Sequence, residues 1–193
     1  MNVAIKNFIG TLFLVVGNSG SGKDSIISGS LKKYPKELKE IHVPNRVITR
    51  PPSEFETNIY VSPDKFKQMA HQGKFALKWH IYGLDYGIPI EIDEYLKKGH
   101  SIIVNVSRTI IDDARNEYAN LRVIFIKVPF EVTVKRIKQR DRESEERLNE
   151  RIKRARVNQT LPEADFIVDN SGNLENAIEQ FLAIVIKIVK ENE

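Results

Sequence analysis

The stretch Gly17-Asn18-Ser19-Gly20-Ser21-Gly22-Lys23-Asp24 constrains the fold of this chain more than any other. It follows Leu12-Phe13-Leu14-Val15-Val16, an apolar run of strand length, and precedes Ser25–Leu31, which reads as helix. Strand, glycine-rich loop and helix in that order form the setting of a phosphate-binding loop. The glycines allow the backbone to curl so that successive N–H groups face an anion, and the helix start adds its positive dipole end. Lys23 is spaced to reach the β- and γ-phosphates of a nucleotide. Gly17, Asn18, Ser19, Gly20, Ser21, Gly22, Lys23 and Asp24 are therefore expected to form a nucleotide phosphate site. Most such loops carry Ser or Thr after the lysine, where the hydroxyl ligates magnesium. Here the residue is Asp24, a hard oxygen donor that suits Mg²⁺. Asp also caps helices well, and the metal role is the preferred reading of the two.

The rest of the chain extends the same alternation. Ser101–Val106 and Leu121–Val128 read as buried parallel strands, each followed by a helix, and Ala164–Asp169 reads as the last strand. The expected fold class is α/β, a P-loop NTPase fold with a parallel sheet covered by helices on both faces. Ligands of such sheets bind beyond the carboxyl ends of the strands, which would bring Asn105, Ser107 and Arg108 toward the phosphate loop. His42–Thr49 reads as a second strand ending at Arg50, with Pro51-Pro52-Ser53 forcing an extended turn. Arg50 is well placed to hold a second anion. Ser62-Pro63 predicts a capped helix start and Gly73 its end. Phe75–Ile81 alternates as a strand, Gly83–Gly87 reads as a turn, and Pro89 as the start of another helix. Residues 50–88 thus resemble an insertion into the strand–helix alternation, a region that grips the acceptor in phosphate-loop kinases. Residues 1–193 are read as a single domain, with core 11–49 and 89–193.

Lys135–Arg156 contains ten Lys or Arg against five Asp or Glu. Most of these charges read as a solvated helix face. Arginines flanking the break between two helices fit a lid over transferring phosphates, at about 140–156. Arg140, Arg142 and Arg151 are the candidates. Leu174–Val189 is an amphipathic closing helix.

Composition narrows the remaining classes. The 193 residues are 41% hydrophobic and 29% charged, ordinary for a soluble globular protein. With no cysteine there is neither a disulfide framework nor a thiolate metal site. No apolar run is long enough for a membrane span, Met1–Gly10 does not read as a secretion signal, and a cytoplasmic location is expected. The net charge of +4 fits a small polyphosphate substrate as well as nucleic acid. The basic residues concentrate in the lid and no aromatic RNA platform is evident, so no nucleic-acid partner is expected. The oligomeric state stays open.

Taken in order, GNSGSGKDS, RVITRP, FALKWHIYGLDYGIPIEID, SIIVNVSR and QRDRESEERLNERIKRA resemble the ribose 1,5-bisphosphate phosphokinases, relatives of guanylate kinase. The resemblance covers about Thr11–Gly172. It implies ATP with Mg²⁺ as phosphoryl donor and a phosphorylated sugar as acceptor. In guanylate kinases the position matching Leu77 is a Glu that hydrogen-bonds the guanine edge. Leucine leaves the base donors unpaired, a loss of roughly 10⁴-fold for a site built on such bonds. A second phosphate-gripping Arg of that family matches Ser53, and a phosphate-holding Tyr matches about Asn58. The Tyr-Gly pair is kept as Tyr86-Gly87. The resemblance thus implies an acceptor held by Arg50, Tyr86, Asn105 and Arg108, with Trp79 and His80 lining a sugar pocket. Transfer would go to the 1-phosphate, giving 5-phosphoribosyl 1-diphosphate and ADP. The alternatives are a nucleoside monophosphate kinase, with the changes at Leu77 and Asn58 counting against GMP, and a guanylate-kinase-like binding module without catalysis.

Overall fold

The computed structural model describes residues 4–51, 57–139 and 145–192. In chain order the elements are β1 (Leu12–Val16), α1 (Lys23–Lys33), β2 (Ile41–His42), β3 (Val47–Ile48), β4 (Ile59–Tyr60), α2 (Pro63–His71), β5 (Phe75–Ile81), β6 (Leu84–Pro89), α3 (Ile92–Lys97), β7 (Ser101–Asn105), α4 (Ile111–Glu117), β8 (Leu121–Lys127), α5 (Phe130–Lys138), α6 (Glu145–Val157), β9 (Phe166–Asp169) and α7 (Leu174–Glu191). A 3₁₀ turn, Arg108–Ile110, leads into α4.

The strands form two sheets, one ordered β2-β7-β1-β8-β9 and the other β4-β3-β6-β5. Strand β1 is buried along its whole length. A strand covered on both faces needs a continuous apolar run rather than an alternating one, which Leu12–Val16 supplies. Its sheet neighbours β7 and β8 both come later in the chain, so the loop after β1 lies at a topological switch point, where open α/β sheets bind ligands.

The chain divides into two compact units. One is Leu14–Leu38 with Arg122–Glu191. There, β8 and β9 run parallel from Ile124↔Phe166 to Lys127↔Asp169. Helix α7 packs on α1, with Phe181 fully buried and Gly29 giving room to the Ile178 side chain. A Cβ on Gly29 would lie 2.3 Å from Ile178 Cδ1, so the missing side chain is what lets the helices approach.

The other unit is Met1–Phe13 with Lys39–Leu121 and Asn192. It holds the whole four-stranded sheet. The Tyr118 hydroxyl donates to Asp93 Oδ1 at 2.6 Å, and Lys6 Nζ lies 3.0 Å from Asp93 Oδ2, which ties the N-terminal segment down. Burial pushes the Tyr118 hydroxyl's pKa well above its ordinary value, with the Asp93 hydrogen bond adding to it.

Three expectations need correction. His42–Thr49 is not one strand: β2 pairs parallel with β7, while β3 pairs with β4 and β6 in the other sheet. Pro44 stands between them, and a residue without an N–H interrupts a ladder. Gly83–Gly87 is not a turn, because β6 begins at Leu84 and the reversal occupies only Tyr82 and Gly83. Pro89 ends β6, and α3 starts at Ile92. The second sheet therefore begins before residue 50, at β3.

The β5–β6 hairpin closes on the Ile81↔Leu84 pair, with φ 57° at Tyr82 and φ 72° at Gly83. Two successive positive φ values give the type I′ turn, whose twist matches that of the strands. Tyr82 is the only non-glycine residue with positive φ among those described. A β-branched residue is a conformational outlier there, whereas Asn adopts this region readily. Both Tyr82→Val and Tyr82→Asn lose the ring, so their difference isolates the backbone. Tyr82→Val should be the less stable by about 1 kcal/mol, measured by urea unfolding.

Candidate active site

The phosphate loop is built inside the first unit. Gly20 (φ +81°) and Gly22 (φ +87°) take left-handed conformations that turn the backbone twice within three residues. Helix α1 then starts at Lys23 with Gly22 as N-cap, which supplies no side-chain cap. Asp24 falls at the second helical position, exposed in the first turn, and is not the cap. An α-helix leaves its first N–H groups without intrahelical partners, so this end presents donors and a positive dipole end.

The loop's carbonyls are held from several directions. Lys23 Nζ donates to Gly17 O at 2.7 Å, Asn18 O at 3.1 Å and Ser21 Oγ at 3.4 Å. Asn170 Nδ2, just after β9, donates to Ser21 O at 2.7 Å. Asn18 Nδ2 donates to Asn158 O at 3.0 Å and Ala155 O at 3.3 Å, at the end of α6. Arg151, on α6, donates from Nη2 to Ser19 Oγ at 2.5 Å. Arg136, on α5, donates to Asn170 O at 3.2 Å. Asp169 Oδ1 accepts from Ser171 N at 2.8 Å, fixing the turn that carries Asn170. The Ser171 side-chain and backbone hydrogen bonds hold the Asp169 carboxyl below its ordinary value.

Arg151 is thus brought against the loop. Arg140 and Arg142 lie outside the described residues. Arg154 pairs with Glu150 at 2.6 Å along its own helix. Sequence reasoning missed Asn170, Asn158 and Arg136. The basic run concealed Arg136 among solvated charges, and nothing near either asparagine in the chain marks the group it serves.

The remaining candidates belong to the second unit. Thr49 N donates to Asp85 O at 3.1 Å and Asp85 N donates to Thr49 Oγ1 at 2.9 Å, which fixes the backbone just before Arg50. On the β5–β6 hairpin, Trp79 faces Tyr86 with rings stacked at 5.2 Å and 4°. His80 faces Asp85, with Nδ1 2.7 Å from Oδ1. Neighbouring residues on a strand point to opposite faces, and the burial agrees: Trp79 is buried and His80 exposed. The structure brings Trp79 and Tyr86 together and sets His80 on the other face, so the Trp-His pair is not one pocket wall. Leu77 shares the buried side with Trp79.

Asn105 ends β7, and its carbonyl accepts from Arg46 Nη1 at 3.1 Å. Arg46 Nε also donates to Asn58 Oδ1 at 3.3 Å. Arg46, immediately before β3, was not singled out from sequence. Arg108 opens the 3₁₀ turn, capped by the Ser107 hydroxyl, which accepts from Thr109 N.

The donor set suits a nucleotide polyphosphate with a hard divalent cation: an ammonium group, a helix start with no side-chain cap, and a carboxylate one position into that helix. Two substitutions test this geometry. A Cβ on Gly22 would lie 2.5 Å from Asn170 Nδ2, which is pinned by its bond to Ser21 O. Gly22→Ala should cost about 1–2 kcal/mol of backbone strain and weaken nucleotide binding at least about tenfold, since the amides are no longer aimed. Asn170→Ala should destabilise by about 1–3 kcal/mol by leaving the buried Ser21 carbonyl without its donor. Thermal unfolding with and without ATP reads both.

The comparisons with known proteins agree with this architecture. Residues 10–188 match the family model described as guanylate kinase. Ribose 1,5-bisphosphate phosphokinase PhnN of Bradyrhizobium diazoefficiens is 35% identical over 176 residues, covering 91% of this chain and 88% of that protein. The protein of that name from Rhodopseudomonas palustris is 40% identical over 164 residues, covering 85% and 82%. Guanylate kinase from Anaplasma phagocytophilum superposes with a TM-score of 0.68 at 16% identity, covering 94% of this chain and 87% of that one, a likeness of fold. On these grounds the chain is a phosphotransferase of the guanylate kinase family, and within it belongs to the ribose 1,5-bisphosphate phosphokinases.

Proposed function

We propose that this enzyme transfers the γ-phosphoryl group of ATP to the 1-phosphate of ribose 1,5-bisphosphate, giving 5-phosphoribosyl 1-diphosphate and ADP. The observation that carries the choice of acceptor is Leu77. Guanylate kinases read the base with a carboxylate at this position, and here the side chain is apolar and buried. No base-reading acid stands there, while the phosphate loop keeps its glycines and lysine. The names of the relatives quoted above support the same acceptor.

An oxygen of the 1-phosphate attacks the γ-phosphorus in line, the bond to the β-bridging oxygen breaks, and ADP leaves. Near neutral pH the acceptor oxygen is already ionised, so the protein needs no general base. Its task is to position two anions and neutralise their charge. The loop amides and the start of α1 hold the donor phosphates. Lys23 exchanges its loop carbonyls for the β- and γ-phosphates, and Arg151 exchanges Ser19 for the charge that develops during transfer. Mg²⁺, with Asp24 as its protein ligand directly or through water, would neutralise the β- and γ-oxygens. Arg50, Tyr86, Asn105 and Arg108 hold the acceptor and Trp79 backs the ring of Tyr86, while His80, on the opposite strand face, falls outside this set. Arg140 and Arg142 complete the lid.

The test is ADP release with ATP and Mg²⁺, offering ribose 1,5-bisphosphate and GMP separately and identifying product by mass. Turnover of the bisphosphate alone is expected, and Lys23→Ala should lower kcat by about 10²–10³. A preference for GMP would overturn the acceptor assignment. Activity that survives the loss of Lys23 would overturn the catalytic one.

A further inference from the structure

A second group of chemically capable side chains lies in the unit that carries the four-stranded sheet. Glu40 immediately precedes the two-residue strand β2, His42 ends it, and His100 immediately precedes β7, its parallel partner. One ring nitrogen of each histidine and one Glu40 carboxylate oxygen all lie within 4.8 Å of one another. His42 Nε2 is 3.5 Å from Glu40 Oε2. Two ligands bonded to one ion at about 2.0–2.1 Å in tetrahedral geometry sit roughly 3.4 Å apart, so this pair already has ligating separation.

Two further observations mark the cluster. His42 Nε2 and His100 Nδ1 are both buried atoms without a hydrogen-bond partner. Buried polar atoms are nearly always paired, and one that is not calls for an ion or another partner. The imidazoles are also held in place. The His42 ring packs against Tyr95 at 3.9 Å between centroids and meets His100 edge-on at 5.2 Å. The register Ile41↔Ser101 and His42↔Ile102 sets His100 level with Glu40, two residues before the level of His42 and so on the same face of the pair.

We propose that Glu40, His42 and His100 form a site for a borderline divalent cation, Zn²⁺ by preference, which clips the edge strand β2 to the start of β7. Two imidazoles and one carboxylate suit Zn²⁺ and leave a fourth position for water or an outside ligand. Mg²⁺ and Ca²⁺ prefer all-oxygen sets, so the ion required for phosphoryl transfer does not compete here. None of these three residues is assigned above to donor or acceptor.

The test uses the full chain freed of metal with a chelator, then titrated with Zn²⁺ in excess Mg²⁺ against a chromophoric competitor. One Zn²⁺ per chain is expected. His42→Gln and His100→Gln should each weaken binding at least about tenfold, and His71→Gln should leave it unchanged. Co²⁺ should give the intense visible absorption of a tetrahedral site, lost in both variants. Glu40 is exposed, so Glu40→Gln tests the site without touching the packed rings, and it too should weaken binding. Equal Zn²⁺ affinity of the wild type and the His42→Gln/His100→Gln double variant would overturn the proposal, as would Co²⁺ spectra showing only octahedral coordination.

Discussion

A loop that aims its N–H groups at an anion must turn its carbonyls the other way, and those that the loop's own Lys23 does not reach need a donor from elsewhere in the protein. Much of the unit that carries the phosphate loop meets that requirement. Ser21 O takes its donor from Asn170, 149 residues along the chain, and Asn170 is held in turn by Arg136 and by the turn that Asp169 forms with Ser171. Asn18 reaches the last turn of α6 and the residue just beyond it. Helices α5 and α6 and the β9–α7 turn are therefore supports of an eight-residue loop as much as they are core elements.

The acceptor side follows a different logic. Trp79, His80, Tyr86 and Asn105 sit on strands, where pairing register decides which side chains share a face, while Arg108 opens a 3₁₀ turn. Trp79 and Tyr86 are cross-strand partners, and so are His80 and Asp85, one pair on each face of the hairpin. Arg46 ties the end of β7 to Asn58.

What the sequence makes legible is what depends on neighbours in the chain. The glycine loop after an apolar strand, the Ser62 cap with Pro63 behind it, and the apolar runs of β7 and β8 all carry their reasons within a few residues. The split of His42–Thr49 between two sheets depends on which strands β2 and β3 meet, and Pro44 marks only where the break falls. Gly87 reads as a turn residue but lies inside β6, where a Cβ would run into the Phe75 ring at 2.5 Å. A glycine kept for close approach and one kept for reversal look alike in sequence. Asn170 was illegible for a stronger reason, because nothing near it in the chain reveals the carbonyl it serves. The opposite faces of Trp79 and His80 were available from strand alternation alone.

The start of α1 has a consequence for how the protein responds to its ligand. A helix selected for its own stability would carry Ser, Thr, Asp or Asn at the cap, and this one carries Gly22 with no side-chain partner. Its first amides have no acceptor within the helix, and they are the groups proposed above to hold the donor phosphates. Folding and ligand capture therefore draw on the same few N–H groups. Hydrogen exchange at those amides reports occupancy directly, and nucleotide concentration becomes one of the variables that set the lifetime of the native state.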